Sequence, residues 1–266
     1  ASRALIMQPV PAKNVRPDYS ASLALFVSVS GSIFFGFPRR DLSRDASRLL
    51  DLHTPRPIMS GLEHIPRESA CLIVANHYQR KAMWIGWPGA MISEAVNSVR
   101  PAAPPLRIVV TDAQRMKLLG REINVPLSGW FLSRVASFWQ MIPIPGNLSD
   151  TSGHAAALRA TLTVLRKGSP VLFFPEGERG SADHLIEALP GTGDFIKLAS
   201  QRAQILPCAF WEEGEQLRGQ IAPPLTFITG DDTAIRGQVM AAIGAMLPES
   251  MRGPYASTIE HKQTIK

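Results

Sequence analysis

Cysteine is nearly missing from this chain: of its 266 residues only Cys71 and Cys208 carry a thiol. Both lie inside apolar runs that read as buried strands, so they behave as small core hydrophobes; this excludes a disulfide framework and fits a reducing compartment. No His/Cys cluster has metal-ligand spacing and the six histidines are dispersed, so no metal is expected. Charge is sparse too, 19% of residues against 45% apolar ones, a balance that excludes a disordered chain and a polytopic membrane protein. The longest apolar stretch, Ser20 to Phe37, is broken by five serines and two glycines and is marginal against the roughly twenty predominantly apolar residues of a span. No Gly-x-Ser-x-Gly elbow is present, which sets aside a serine hydrolase. Internal repeats and low-complexity segments are absent as well.

What is there is an excess of basic residues, 28 against 22 acidic, for a formal net charge of +6. Such a field suits phosphate, anionic lipid or coenzyme phosphates. Nucleic acid is not expected as a partner, because the basic residues are scattered, no recognition helix appears and aromatics do not interleave with basic runs. Arg39 and Arg40 directly follow the apolar stretch and no small-residue cleavage site is evident, which argues against a secretory signal. The expectation is a hydrophobic, interfacial or membrane-dipping helix, with a buried domain helix and a true span as alternatives. Arg39, Arg40, Arg44, Arg48 and Arg56 then form a basic collar that suits anionic headgroups or a solvated helix face.

Beyond the collar, short apolar runs alternate with helical patterns, which predicts an α/β fold with a largely parallel sheet flanked by helices. The strand candidates are Cys71 to Ala75, Leu106 to Thr111, Val171 to Phe174, Ile205 to Phe210 and Leu225 to Thr229. A helix precedes Val171, with capping side chains at Asp150 to Ser152, an apolar stripe of Ala155, Leu158, Leu162 and Leu165, and Lys167-Gly168 at its end. Another runs from Asp232 to Leu247 and is stopped by Pro248. The chain divides into a hydrophobic helix and basic connector over residues 1–57, one domain over 58–256 and a polar tail over 257–266.

In such sheets reactive groups gather in the loops after the strands' carboxyl ends. Two exits are chemically loaded. CLIVANHYQR delivers Asn76 and His77 to one loop, and VLFFPEGERG presents Glu176, Gly177, Glu178 and Arg179 beyond a Pro175-Gly177 turn. Each is unremarkable alone, a loop histidine and a charged turn; together they offer a base and an anion site to one crevice.

The pair resembles the signature of the glycerol-3-phosphate and lysophosphatidic acid acyltransferase family, which carries an Asn-His motif and a Phe-Pro-Glu-Gly-Thr-Arg motif in this order. SGLEHIPRESACLIVANH, GTGDFIKLASQRAQILPCAF, IAPPL and LPESMRGPY are similar to further family segments, so the resemblance covers roughly residues 58 to 256. It implies an acyltransferase moving a fatty acyl group from acyl-coenzyme A or acyl carrier protein to a hydroxyl of a lysophospholipid or other lipid, with a phosphorylated acceptor expected and no further cofactor. His77 would be the general base, at the cytoplasmic face of a membrane; Asn76, Glu176 and Gly177 would shape the acceptor site and Arg179 would meet a phosphate oxygen.

Two departures stand out. The family's histidine is followed, after four residues, by an aspartate that orients the imidazole; here that place is Ala82. Asp112, past a neighbouring strand, is the candidate substitute; a backbone carbonyl is a second possibility, and a catalytically inactive lipid-binding or regulatory protein is the third. The family's second block normally ends in an arginine where MIPIPG has Gly146, with Arg134 either compensating or facing solvent. The segment MWIGWPGAM, residues 83–91, suits an acyl channel, a bilayer interface or ordinary core packing.

Overall fold

The continuous apolar runs form the middle of a sheet covered on both faces, as their lack of polar alternation requires. The computed structural model describes residues 17–19, 27, 28, 31, 40–112, 115–118, 121–124, 128–147, 149–226 and 228–257, with the backbone alone for 115–118 and 121–124. The strands are β1 (Ile58–Ser60), β2 (Cys71–Ala75), β3 (Arg107–Thr111), β4 (Arg115–Leu118), β5 (Arg121–Asn124), β6 (Ile142–Ile144), β7 (Val171–Phe173), β8 (Gln204–Glu213) and β9 (Gln216–Ile221). Seven of them make one sheet in the order β1-β9-β8-β2-β7-β3-β6, and β4 and β5 pair separately. Every neighbouring pair of the large sheet is parallel except the β8–β9 hairpin.

The helices are α1 (Leu42–Leu50), α2 (Gly86–Val99), α3 (Ser128–Phe138), α4 (Thr151–Arg166), α5 (Thr192–Ser200) and α6 (Asp232–Gly244). Strand side chains alternate between two cores, as the period of two dictates. Cys71, Ile73 and Ala75 pack with α1 and α2 through Leu49, Leu50, Met91 and Ile92. Leu72 and Val74 pack on the other face with Leu165, Phe195, Ile196, Ile235 and Val239 from α4, α5 and α6. Both cysteines are free and fully buried.

Local chemistry fixes the starts of α1, α4 and α6. Asp41 accepts from the Ser43 N–H, Asp150 from the Gly153 N–H at 2.9 Å and Asp231 from the Ala234 N–H at 2.8 Å, each satisfying an otherwise orphaned donor. The buried stripe of α4 is Ala157, Thr161 and Leu165, flanked by half-buried Leu158 and Leu162.

One expectation changes and two narrow. The run Leu225 to Thr229 forms no strand among its described residues; Pro223 and Pro224 lack the N–H a ladder needs, and the last strand is instead β9, just before them. The basic collar is partly internal: Arg40 pairs with Asp45 at 2.7 Å, and Arg56 reaches Asp51 at 2.8 Å and Glu94 at 2.6 Å. MWIGWPGAM is mostly core, with Met83, Trp87 and Met91 buried and Trp84 exposed. Of the stretch 20–37 only residues 27, 28 and 31 are described, so the interfacial helix falls outside the described residues, as does the tail after residue 257. Among the described residues no helix is long and apolar enough to cross a membrane.

Candidate active site

β2 and β7 are adjacent and parallel, with Val74 opposite Phe173, so the chain after each leaves the sheet at the same edge. This brings the Asn-His loop against the Pro-Glu-Gly loop. Glu176 makes the joint: it is fully buried, and its carboxylate accepts the His77 N–H at 2.7 Å and the Ile186 N–H at 2.9 Å. Burial pushes the Glu176 carboxyl up from its ordinary value, while those two N–H donors and then the Arg179 charge pull the other way. Glu176 therefore ties the two loops together rather than projecting toward an acceptor.

His77 carries its ring edge-on to Phe174, with centroids 5.2 Å apart. Its Nδ1 is buried and meets no hydrogen-bond partner among the described residues. Burial drives its pKa down from 6.5 to about 4, with the backbone of Gly180 and of His77 itself opposing. Gly180 packs so closely that a Cβ there would stand 2.5 Å from the His77 Cβ. The imidazole is thus neutral at physiological pH and able to accept a proton.

Asn76 is not turned toward a ligand. Its side-chain amide donates to the Phe210 carbonyl at 3.0 Å and accepts the Phe210 N–H at 2.8 Å, fixing the loop to β8. Gly177 holds φ +60°, and a Cβ there would come 2.8 Å from Leu189 Cδ1, so this turn needs glycine. Arg179 is exposed, with one hydrogen bond to the Glu187 carbonyl at 3.2 Å. Arg134 is also exposed and lies over the Trp130 ring, 5.4 Å from its centroid.

Asp112 does not reach His77. β7 stands between β2 and β3, which sets the two strand exits about 10 Å apart, and the Asp112 carboxylate accepts the Gly146 N–H at 3.0 Å instead. The Gly180 backbone lies close enough to favour the protonated ring, but no bond to Nδ1 meets hydrogen-bond geometry among the described residues. Among the described residues no group of three His, Cys, Asp or Glu side chains is placed to hold a metal ion.

Several residues that position this loop escaped the sequence reading: Tyr78, Gln79, Arg80, Gly180 and Glu212. Tyr78 and Arg80 both meet Glu212, while Gln79 donates to the carbonyls of Glu178 and Gly180. The signal available was the unbroken run of polar side chains from Asn76 to Lys81, which has meaning only once the facing strands are known.

Comparison with known proteins agrees with this architecture. The Acyltransferase family profile matches residues 56–211. Uncharacterized proteins of Mycobacterium tuberculosis and Mycobacterium leprae are each 27% identical over 157 residues, 57% of this chain. The match spans 36% and 35% of those relatives' lengths, about a third in each case. The crystal structure of a 1-acyl-sn-glycerophosphate acyltransferase from Thermotoga maritima superposes with a TM-score of 0.52 at 16% identity, covering 90% of this chain and 91% of that one, which is a likeness of fold.

Proposed function

The chain belongs to the acyltransferase family, and from that premise we propose that it transfers a fatty acyl group from an acyl-coenzyme A or acyl carrier protein thioester to a hydroxyl of a lysophospholipid or other lipid acceptor. The observation that carries the reading is the placement of His77 at the exit of β2, held against the loop after β7 by the bond from its own N–H to Glu176. A neutral imidazole takes the hydroxyl proton as the oxygen attacks the thioester carbonyl. The new C–O bond forms, the C–S bond breaks, and the proton passes from His77 to the departing thiolate, so that ester and free thiol are the products. General base catalysis of this kind contributes on the order of a hundredfold to ten-thousandfold.

Arg179, exposed with a single backbone acceptor, is the cation proposed for a phosphate on the acceptor; Arg134 is a more remote candidate. The exposed Trp84, two residues before Gly86, suits an acyl chain or a membrane surface, and a site on the cytoplasmic face of a membrane belongs to the same proposal. No cofactor beyond the acyl donor is needed for this chemistry. A second reading, a catalytically inactive lipid-binding protein of the same fold, draws on the unpartnered Nδ1 of His77, since among the described residues no carboxylate is bonded to that nitrogen to stabilise an imidazolium forming there.

Thiol release from acyl-coenzyme A and acyl carrier protein, measured with a panel of lipid hydroxyl acceptors, separates the two. Acceptor-dependent release that falls at least about a hundredfold in His77→Ala supports the enzyme. Folded native protein that binds lipid but releases no thiol across the panel supports the inactive reading.

A further inference from the structure

His77 has neither an aspartate at Ala82 nor a bond to Asp112, yet the segment around it is anchored at almost every residue. The anchors alternate. Even-numbered residues are tied to β8: Asn76 makes its two bonds to Phe210; the Tyr78 hydroxyl donates to Glu212 Oε2 at 3.0 Å and accepts the Glu212 N–H at 3.1 Å; Arg80 forks onto both Glu212 oxygens, with its Nε at 2.8 Å. Odd-numbered residues are tied to the loop after β7: the His77 N–H to Glu176, the Gln79 amide to the Glu178 and Gly180 carbonyls, and the Gln79 carbonyl to the Ala182 N–H at 2.8 Å. The backbone pairing of β2 with β8 ends at Ala75 and Cys208, so side chains continue the pairing where the ladder stops.

Glu212 is the centre of one side of this arrangement. Its side chain is only 7% exposed, and a carboxylate so placed needs the charge and hydrogen bonds it receives from Arg80 and Tyr78. Arg80 also donates to the Pro17 carbonyl at 2.7 Å, and Tyr19 flanks the same loop through its N–H to the Ala82 carbonyl at 2.7 Å. Releasing Glu212 removes an anchor shared by Tyr78 and Arg80, one and three residues beyond His77, while the Glu176 side stays closed.

We propose that Glu212 is the positioning residue for His77, holding the imidazole in place through Tyr78 and Arg80 where a direct carboxylate contact is absent. The catalytic consequence rests on the acyltransferase reading; the positioning does not. The ring is held from both sides by its backbone, in contact with Phe174 and Gly180, instead of by a bond to Nδ1.

The test follows the His77 resonance by NMR in the full chain, assigned with His77→Gln, alongside mapped carbethoxylation by diethyl pyrocarbonate. In Glu212→Gln, and to a smaller extent in Tyr78→Phe, the His77 titration is expected to move from about 4 toward the ordinary value of about 6.5, with faster carbethoxylation. Turnover is expected to fall by up to about a hundredfold while KM stays nearly constant, the pattern of a misplaced catalytic group. Glu94→Gln serves as a control for general loosening, because Glu94 on α2 pairs with Ser47 of α1 and with Arg56 in the loop after it. His77 unmoved in both test variants, or moved equally in Glu94→Gln, overturns the proposal. If Glu212→Gln does not fold, Tyr78→Phe decides by the same criteria. The histidine readout needs no substrate, so native protein silent toward every acceptor sinks the functional reading while the titration still decides the positioning.

Discussion

At the scale of the residue, the environment of His77 sets what the site can do and at what pH. Desolvation lowers its pKa to about 4, and a general base works only in its neutral form. The acid limb of kcat/KM is therefore expected near pH 4, with a flat profile above about pH 5; a limb centred near 6.5 in the free protein would contradict the burial of the ring. Gly180→Ala is the sharpest single steric test, since the added Cβ would stand 2.5 Å from the His77 Cβ and 3.0 Å from Glu176 Oε2. Overpacking of this kind costs about 1–3 kcal/mol, and here it displaces the base as well, so a lower urea midpoint together with a loss of turnover is expected. Asp112→Asn makes the opposite case. With its carboxylate on the Gly146 N–H and no bond to His77, it should leave the His77 titration and acyl transfer near native, and a loss as deep as that of His77→Ala would show a link absent from this geometry.

Between elements, the site is a joint of three consecutive strands of the sheet, β8, β2 and β7. Asn76 and Glu176 are its two pins. Asn76→Ala leaves the buried Phe210 N–H and carbonyl unpaired, at about 1–3 kcal/mol for each group, and is expected to lower the urea midpoint without changing the m-value; an unchanged midpoint would mean that water or another side chain replaces the amide. What the sequence revealed at this scale was uneven. α4 was legible because Asp150 and Gly168 mark its ends and its apolar stripe has helical spacing. β2 was legible because five consecutive apolar residues leave a central strand as the simplest reading. β9 was missed: Gln216, Arg218 and Gln220 alternate with Leu217, Gly219 and Ile221, and that half-polar pattern was outweighed by the more apolar Leu225 to Thr229, where the two preceding prolines decide against pairing.

Over the whole molecule, the same half-buried histidine, its Nδ1 shielded from water, couples folding to pH. A lowered folded-state pKa means that the unfolded chain binds the proton more readily, so the stability His77 contributes is fully present above about pH 6.5 and is lost as the pH falls toward 4. Two and a half pH units correspond to about 3 kcal/mol. Glu176, with its carboxyl pushed up by burial, acts in the opposite sense over the acidic range, because protonation relieves its charge. Comparing the native chain with His77→Gln at each pH largely removes the Glu176 contribution. The stability difference between them is expected to fall by about 3 kcal/mol between pH 7 and pH 4, read from urea midpoints, whereas a constant difference would mean that His77 titrates alike in both states.

The sequence by itself determined the fold class, the central strands, the capped helices and the two motif loops, because apolar periodicity, capping residues and prolines act over a few neighbouring positions. Its resemblance to the acyltransferases also located the histidine. Only the tertiary structure decided which motif residues face each other and which serve as struts. Strand order separates Asp112 from His77, pins Asn76 to Phe210 and buries Glu176 between two loops. It also brings Glu212, more than a hundred residues downstream, beneath the segment after the histidine. That order is fixed by how seven strands share two helical layers, a property of packing across the whole chain that no local pattern of residues contains.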